Sequence, residues 1–485
     1  MSPRARTDQA AGGEEASRAA LASWALPAAC LVFLASVVAS YGVGLRPGAP
    51  TARATVWLGE AWGVELGVGT FVLLQYAVAT GCMGVAWWAH ARSGRGALAW
   101  LIGTAVLARL LLVPVAPYTS NDVERYLWDG RVALEGFDPY RVSPDAPEVA
   151  HLRGTWKTPP EHAALPTLYP PAALATFALT ALGGPEESLL AWKALCTAAS
   201  LATLGLVTLL LRRAGRLRHL ALIALSPLHV FEFGVGAHVD ALSTLSLAAA
   251  LVAITRDRAA TAGAFLGLGA LFKLLPLAAL LPLACAWGAS RRTARLGFGA
   301  FGMIATGYGA TLALGLHPIG SLGTFAAKWR FGSPLFPVLE TLTSERVAAF
   351  LLVGMLVAGL AIVCAQARKH PLFALQWTLA LPLALSPVVF PWYLGLLVPL
   401  LALRPSAVLL GWTIALPLTY EVLNGFLGRG VWAPALWPLS IVTGAVLLGA
   451  GIDRLRAPER LSVPFSPVLA SPDGGSTSRS VGIAR

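Results

Sequence analysis

Long apolar runs dominate the chain, and short polar segments separate them. Four examples are residues 24–41, 70–89, 97–115 and 189–211. A helix of about 17–25 apolar residues crosses a hydrocarbon core about 30 Å thick, and each of these runs has that length. The pattern predicts an all-α polytopic membrane protein with roughly 12–14 transmembrane helices.

The two ends of the chain are different, because they are polar and rich in Gly, Ser, Pro and Arg. Such segments bury too little apolar surface to fold. We therefore predict a disordered cytoplasmic tail over residues 1–21, a transmembrane domain over 22–456 and a second disordered cytoplasmic tail over 457–485.

Composition supports the membrane prediction. Of 485 residues, 56% are hydrophobic and 12% are charged, whereas an ordinary soluble domain carries about 25% charged residues. The net charge of +12 does not indicate nucleic-acid binding, because the cations lie in short clusters between apolar runs. That distribution is typical of cytoplasmic loops. The five cysteines all lie inside apolar runs, where they are predicted to be small core residues.

The cationic clusters also predict an orientation. If all six are cytoplasmic, both termini lie inside and the number of crossings is even; they lie at 91–95, 212–219, 255–258, 291–295, 367–370 and 453–460. Residues 172–183 are too few to span the bilayer, so we predict a re-entrant or interfacial segment there.

With this orientation, the unusual polar and aromatic residues collect on the external side. They lie in five segments: 117–171, 236–240, the end of the run at Lys273, 317–346 and 389–393. The first of these is a large external loop, and its residues 117–170 hold eight of the 24 acidic residues. Five segments on one face predict a single active site on the external or periplasmic side of a bacterial inner membrane.

The first large loop opens with a predicted interfacial helix. Ser120 or Asn121 suits its N-cap, and Gly136 and Pro139 end it. We expect this helix to lie along the membrane surface with Trp128 at the lipid interface.

Helical spacing places Asp122, Arg125, Tyr126 and Asp129 on one face of this helix. One interpretation is a surface helix with ion pairs such as Arg125–Asp129. The alternative follows from position, since Asp122 lies where the chain leaves the bilayer, at a helix N-terminus that favours a carboxylate. There Asp122 could take the proton of a sugar hydroxyl.

Three further residues lie at the external ends of apolar runs. His238 and Asp240 could contact a sugar or a phosphate, pair structurally, or hold a metal, although two ligands are weak evidence for a metal. Lys273 interrupts an apolar run, where an ionisable residue suggests function. It either binds a lipid-linked phosphate or snorkels to the interface. Glu232 could pair with His229 or with His238.

Aromatic residues provide a second set of candidates. Trp392 and Tyr393 follow Pro391 and fit either an interfacial aromatic belt or a stacking platform for a sugar ring, with Tyr140 and Tyr169 assisting.

Seven short strings carry a resemblance to a known family. They are DVERYLWDGR at 122–131, GFDPY at 136–140, YPP at 169–171, GAHVD at 236–240, FKLLP at 272–276, KWRF at 328–331 and FPWY at 390–393. In this order they resemble bacterial GT-C membrane glycosyltransferases, particularly the polyprenyl-phosphate-mannose-dependent mannosyltransferases. The resemblance implies a GT-C-like bundle whose catalytic aspartate lies in the first large external loop, which matches Asp122.

The resemblance and the residues together predict an enzyme of the cell envelope. It would move a hexose, with mannose preferred, from a polyprenyl-phosphate donor to a hydroxyl of a lipid or glycan acceptor. Asp122 would be the general base, and inversion is expected, although Asp129 could serve a retaining route. The predicted substrate-binding residues are Arg125, Asp129, Arg131, Tyr140, Tyr169, His238, Asp240, Lys273, Lys328, Arg330, Trp392 and Tyr393.

Other partners and classes follow from the same reasoning. Membrane lipids are expected to surround the protein, and nucleic acid is excluded as a partner. No cofactor is predicted, and the ligand spacing does not support a divalent metal. The rival class is a polytopic transporter or lipid-linked sugar flippase, which would favour inverted repeats and polar sites at the midplane.

Overall fold

The computed structural model describes residues 3–43, 53–54, 66–92 and 96–455. The predicted tail 457–485 lies outside these residues. The first helix begins at Pro3, within the segment predicted to be a disordered tail, and its apolar stretch is Ala20–Gly42. Two short strands, β1 (Arg53–Ala54) and β2 (Leu66–Gly67), pair antiparallel.

Helices form nearly all the rest of the described chain. The α-helices are α1 (Pro3–Val38), α2 (Val68–His90), α3 (Gly96–Leu111), α4 (Asp122–Leu134), α5 (Pro171–Thr180), α6 (Pro185–Arg213), α7 (Ala221–Ala224), α8 (Asp240–Thr255), α9 (Ala259–Phe272), α10 (Leu280–Trp287), α11 (Arg291–Ala313), α12 (Leu322–Lys328), α13 (Phe336–Leu342), α14 (Glu345–Gln366), α15 (Pro371–Ala384), α16 (Val398–Leu403), α17 (Ala407–Ala415), α18 (Leu423–Arg429) and α19 (Trp437–Leu455). Shorter 3₁₀ segments are Ala39–Gly42, Pro147–Leu152, Pro160–His162, Leu217–His219, Leu275–Ala279, Pro391–Leu397 and Leu416–Val422, and Leu228–Glu232 is a π-helical turn.

Seven helical segments in the described ranges are long and apolar enough to cross a membrane, and seven more are apolar but shorter. The prediction of an all-α polytopic membrane protein is therefore confirmed. Several of the shorter segments are broken by 3₁₀ turns, as in 275–287 and 391–403. Irregular backbone at membrane depth is tolerated where protein buries it.

Burial separates an inner from an outer set of helices. Helix α8 is central, since nearly all its side chains are buried and it packs on α6, α9 and the 3₁₀ segment Pro391–Leu397. In contrast, only 17% of the apolar window is buried in each of α11, α14 and α19. The outer helices therefore present their apolar faces to lipid, and the interior holds the polar side chains.

Helices α9 and α11 meet at unusually short range. A Cβ added at Gly263 would lie 1.9 Å from the Leu296 carbonyl oxygen, and one at Gly299 would lie 2.0 Å from the Ala260 oxygen. Small residues allow this contact, and lipid-embedded helices associate through such packing because water supplies no hydrophobic drive between them.

The first large loop folds around a hydrophobic core of its own. Helix α4 packs on the short helix α5, and Gly130 permits the contact, because a Cβ there would lie 2.4 Å from the Phe177 backbone. Trp128 is buried in this core, 1% exposed, so the expectation that it lies at the lipid interface is wrong. It packs inward as part of the hydrophobic core that the first loop forms with α4. Helix α5 has ten residues, about 15 Å, as expected for a segment too short to span.

The ends of α4 agree with the sequence prediction. Asn121 is the N-cap residue, and the Asp122 amide donates to Ser120 Oγ, one residue earlier, at 3.1 Å. The Asn121 side chain donates to Glu161 Oε1 at 2.8 Å. Gly136 follows the helix with φ of +83°, a backbone conformation that glycine adopts without strain.

Candidate active site

Asp122 is the first residue of α4, and its two carboxylate oxygens differ in their contacts. Its Oδ2 accepts a hydrogen bond from Tyr126 Oη at 3.3 Å and lies 3.3 Å from His238 Nδ1. Its Oδ1 has no hydrogen-bond partner in the described part of the chain, and the side chain is 22% exposed. The carboxylate is thus oriented through one oxygen and presents the other to an incoming group.

The loop that carries His238 is held in a strained conformation. Ala237 has φ of +47°, which costs a non-glycine residue free energy and persists where the surroundings fix it. The Ala237 carbonyl accepts from Trp192 Nε1 at 2.7 Å, and the His238 amide donates to the Glu232 carbonyl at 3.2 Å. Strain of this kind is typical of functional sites.

His238 is fully buried between an aromatic ring and two carboxylates. Its ring stacks on Trp392 with centroids 3.9 Å apart and planes 10° apart. Its Nε2 lies 3.4 Å from Glu232 Oε2. Neither carboxylate contact has the angles of a good hydrogen bond in this conformation, so we treat both as close charge contacts.

Glu232, which the sequence left unassigned, lies next to this site. It is 0% exposed, and its Oε1 accepts from Tyr76 Oη at 2.5 Å and Tyr420 Oη at 2.7 Å. It lies beside His238 and not beside His229, which contacts the Gly395 carbonyl. An acid inside an apolar run was the available signal.

Lys273 and Asp240 form the second charged pair of the site. Lys273 follows α9 in extended backbone, and its Nζ donates to both Asp240 oxygens at 2.7 and 2.8 Å. The same ammonium lies 3.7 Å above the Tyr393 ring. The Lys273 side chain is 29% exposed while Asp240 is 5% exposed. The cation therefore lies on the exposed side of the pair, which we call the opening, and its counter-ion is buried behind it.

The five external segments predicted to form one site do meet. The contacts Asp122–His238, Asp240–Lys273 and Lys273–Tyr393 join four of them. The fifth joins through the Val389 amide, which donates to the Phe331 carbonyl at 2.7 Å.

Tyr140 and Tyr169 line the same region from the first loop. Tyr140 Oη donates to the Tyr169 carbonyl at 3.0 Å, and the Tyr169 ring packs edge-on against Tyr126 at 5.1 Å. Tyr169 therefore supports the tyrosine that contacts Asp122.

Arg125 and Asp129 hold the loop onto α4. Arg125 Nε donates to Asp129 Oδ1 at 2.7 Å, and its other nitrogens donate to the His162 and Leu165 carbonyls at 3.0 and 2.6 Å. Both side chains are buried. These contacts support the fold of the loop. A direct role of the two residues toward substrate stays a prediction.

Three further candidates lie outside this cluster. Arg131 pairs with Glu135 on its own helix, nine residues beyond Asp122. Arg330 pairs with Glu345 at 2.6 Å and covers the Phe336 ring. Lys328 is exposed at the end of α12. The described contacts do not bring these cations to Asp122, and their predicted binding roles stay untested.

The pKa values of the two aspartates of α4, Asp122 and Asp129, shift in opposite directions. Burial tends to raise the pKa of Asp122, but the adjacent His238, then His162 and Lys273, outweigh it and lower that pKa. Burial raises the pKa of Asp129 more than Arg125 lowers it. The lowered pKa keeps the Asp122 carboxylate ionised at neutral pH, and Asp129 is held in its ion pair with Arg125.

A metal site would require several ligand side chains grouped together. Within the described ranges, no three His, Cys, Asp or Glu side chains are grouped as metal ligands. The carboxylates of Asp122 and Asp240 instead face His238 and Lys273.

Comparison with known proteins identifies the family. No curated protein and no solved structure matches the chain. A family model described as alpha-(1->6)-mannopyranosyltransferase, N-terminal domain, matches residues 26–289. This region is more than half of the 485 residues, and it contains Asp122, His238 and Lys273. The match confirms the resemblance to mannosyltransferases seen in the sequence. The chain therefore belongs to the alpha-(1->6)-mannopyranosyltransferase family and is a multi-pass membrane glycosyltransferase that transfers mannose.

Proposed function

We propose that the enzyme transfers mannose from a polyprenyl-phosphate donor to an acceptor hydroxyl on the external face of a bacterial inner membrane, with Asp122 as general base. The observation that carries the proposal is the open Oδ1 of Asp122, whose partner oxygen is held by Tyr126 and near His238. An ionised carboxylate with one unoccupied oxygen is what a general base requires.

The reaction needs one proton transfer and one displacement. The acceptor hydroxyl gives its proton to Asp122 Oδ1 as its oxygen bonds to the anomeric carbon. The bond from that carbon to the phosphate oxygen breaks, and its electron pair leaves with polyprenyl phosphate. Lys273 lies at the opening with its ammonium partly exposed, and there it would stabilise the charge that develops on the leaving phosphate.

The separation of the carboxylates on α4 supports inversion. A retaining route needs a second carboxylate about 5 Å from the first. Asp129 lies seven residues on, about 10 Å along the helix, and is paired with Arg125. An α-linked product formed with one inversion requires a β-linked donor, so the proposed donor is polyprenyl-phosphate β-mannose.

Reconstitution tests this function directly. Purified enzyme in lipid vesicles should transfer mannose from polyprenyl-phosphate β-mannose to a mannoside acceptor, measured as radiolabelled product. The α-linked donor, polyprenyl-phosphate glucose and nucleotide-linked mannose should give little product. Efficient use of nucleotide-linked mannose, with none of the lipid-linked donor, would contradict the proposal.

The proposed orientation gives a labelling prediction. Ala150 is exposed in the first large loop, so Ala150→Cys should react with a membrane-impermeant maleimide in intact cells whose outer membrane, if present, is permeabilised. Arg256 lies in the loop between α8 and α9, so Arg256→Cys should react only after the inner membrane is broken. The native chain, with its five cysteines buried or half-buried, gives the background. The reverse pattern would show that the first loop is cytoplasmic.

A further inference from the structure

Glu232 is a carboxylate in a place where a charge is costly. It is fully buried, and its described partners are two tyrosine hydroxyls and His238. It lies on the far side of His238 from Asp122, so it does not face the opening. Removing a carboxylate from water costs several kcal/mol unless it is paired. A buried acid inside a membrane protein therefore suggests a functional role.

The geometry of His238 shows what pairs with this charge. Its Nδ1 faces Asp122 Oδ2 at 3.3 Å and its Nε2 faces Glu232 Oε2 at 3.4 Å. A neutral imidazole has one N–H and one lone pair, so one nitrogen would turn its lone pair toward a carboxylate oxygen. The imidazolium presents an N–H to both.

Two further observations favour the charged ring. His238 stacks on Trp392, and a cation is stabilised over the face of an indole. Burial tends to lower the pKa of His238, but the contacts with Asp122 and Glu232 outweigh it and raise that pKa to about 9.

The titratable groups around the pair come from several elements. On the Glu232 side, Tyr76 of α2 and Tyr420 of the 3₁₀ segment Leu416–Val422 donate to its Oε1. On the Asp122 side, the facing groups are Tyr126 of α4, His162 of the first loop and Lys273 after α9. Of the two carboxylates that contact His238, Glu232 is the one on the side of the ring away from Asp122.

We propose that Glu232 is a positioning residue for mannosyl transfer, because it holds His238 as the imidazolium that orients Asp122 and keeps it ionised. This inference rests on the proposed role of Asp122 as general base. Glu232 itself exchanges no proton with substrate. Its charge acts through the ring, and the Tyr76 and Tyr420 hydroxyls fix the direction of its carboxylate.

The test is the pH profile of transfer for Glu232→Gln. The amide keeps an acceptor for the two tyrosines but removes the charge, so the pKa of His238 should fall and that of Asp122 should rise. In the pH profile of kcat/KM, the fall on the alkaline side should shift from about pH 9 to lower pH. The rise on the acidic side should shift to higher pH. At pH 8 we expect a loss of about tenfold for each unit by which the His238 pKa falls below 8, with little change in KM for the donor.

A matched control lies beside Tyr420 on the 3₁₀ segment Leu416–Val422. Glu421 accepts from the Ala435 amide at 2.6 Å and does not contact His238, so Glu421→Gln should keep the wild-type pH profile. A folded Glu232→Gln enzyme with unchanged limbs, or with the same loss at every pH, would overturn the inference. Absence of transfer by the wild-type enzyme from polyprenyl-phosphate mannose would instead contradict the proposed function.

A measurement on the wild-type chain decides the matter if Glu232→Gln does not fold. Nitrogen-15 NMR of histidine-labelled enzyme in lipid reports the protonation of each imidazole, and the His238 signal is assigned by its loss in His238→Gln. We expect His238 to remain protonated at pH 8. Deprotonation at or below pH 6.5, the ordinary histidine value, would overturn the inference.

Discussion

Asp122→Asn should lower mannosyl transfer by about 10²–10⁴-fold, the usual contribution of a general base, while donor binding survives. Asparagine is nearly isosteric, and the capping contact from the Asp122 amide to Ser120 Oγ uses the backbone, so α4 should keep its start. The variant removes the basic oxygen. The measurement is the initial rate of transfer in vesicles, with donor affinity measured separately.

The pH dependence of the wild-type enzyme gives a second test of the same assignment. Because His238, His162 and Lys273 lower the pKa of Asp122 below the ordinary 3.8, the carboxylate stays ionised at neutral pH. As the pH is lowered, protonation of Asp122 should therefore not reduce transfer until the pH approaches that value.

Asp129→Asn is the matched control on the same helix. Asp129 accepts from Arg125, which in turn donates to the His162 and Leu165 carbonyls. Breaking a buried pair costs about 3–5 kcal/mol, so this variant should lower thermal stability more than it lowers the rate per folded molecule. Wild-type transfer by Asp122→Asn together with an inactive, folded Asp129→Asn would assign the base to Asp129.

Lys273→Ala should lower transfer at limiting donor by about 10²–10³-fold, the effect of removing one donor that stabilises charge in a transition state. Lys273→Arg keeps a cation and should lose much less. The physical reason is the position of the ammonium, which is partly exposed at the opening while Asp240 lies behind it. Rates at several donor concentrations measure the effect.

The ion pair requires a second control, because Lys273→Ala also leaves Asp240 buried and unpaired. The double variant Lys273→Ala with Asp240→Asn removes both charges, which restores neutrality without restoring a cation. Transfer should remain low in the double variant although stability recovers. Recovery of transfer would show that Lys273 acts only by neutralising Asp240.

Local features of the site could be predicted from sequence because they depend on helix geometry alone. The contacts Tyr126–Asp122 and Arg125–Asp129 both join residues four apart, which a helix places on one face. The start of α4 at Asp122 and its end before Gly136 follow from capping preferences. Asp122 was thus identifiable as the acid at a helix N-terminus beside the membrane.

The burial of Trp128 could not be predicted in the same way. An apolar face of a helix is compatible with lipid and with a neighbouring helix, since both are apolar surroundings. The sequence showed Trp128 on α4 but not that the core of the first loop would enclose it. For Arg125, the sequence likewise could not distinguish a substrate phosphate from the His162 and Leu165 carbonyls, because a guanidinium can donate to either.

What the sequence by itself determined is the class of protein and the side chains available on one membrane face, since hydropathy and charge distribution follow from composition along the chain. What only the tertiary structure decided is which charges neutralise one another. Glu232 accepts a hydrogen bond from the hydroxyl of Tyr420, 188 residues away. Its carboxylate lies beside His238 and not beside His229. No local propensity encodes such a pairing, because it depends on which helices pack together in the interior. There a buried charge must find a partner or incur a large cost.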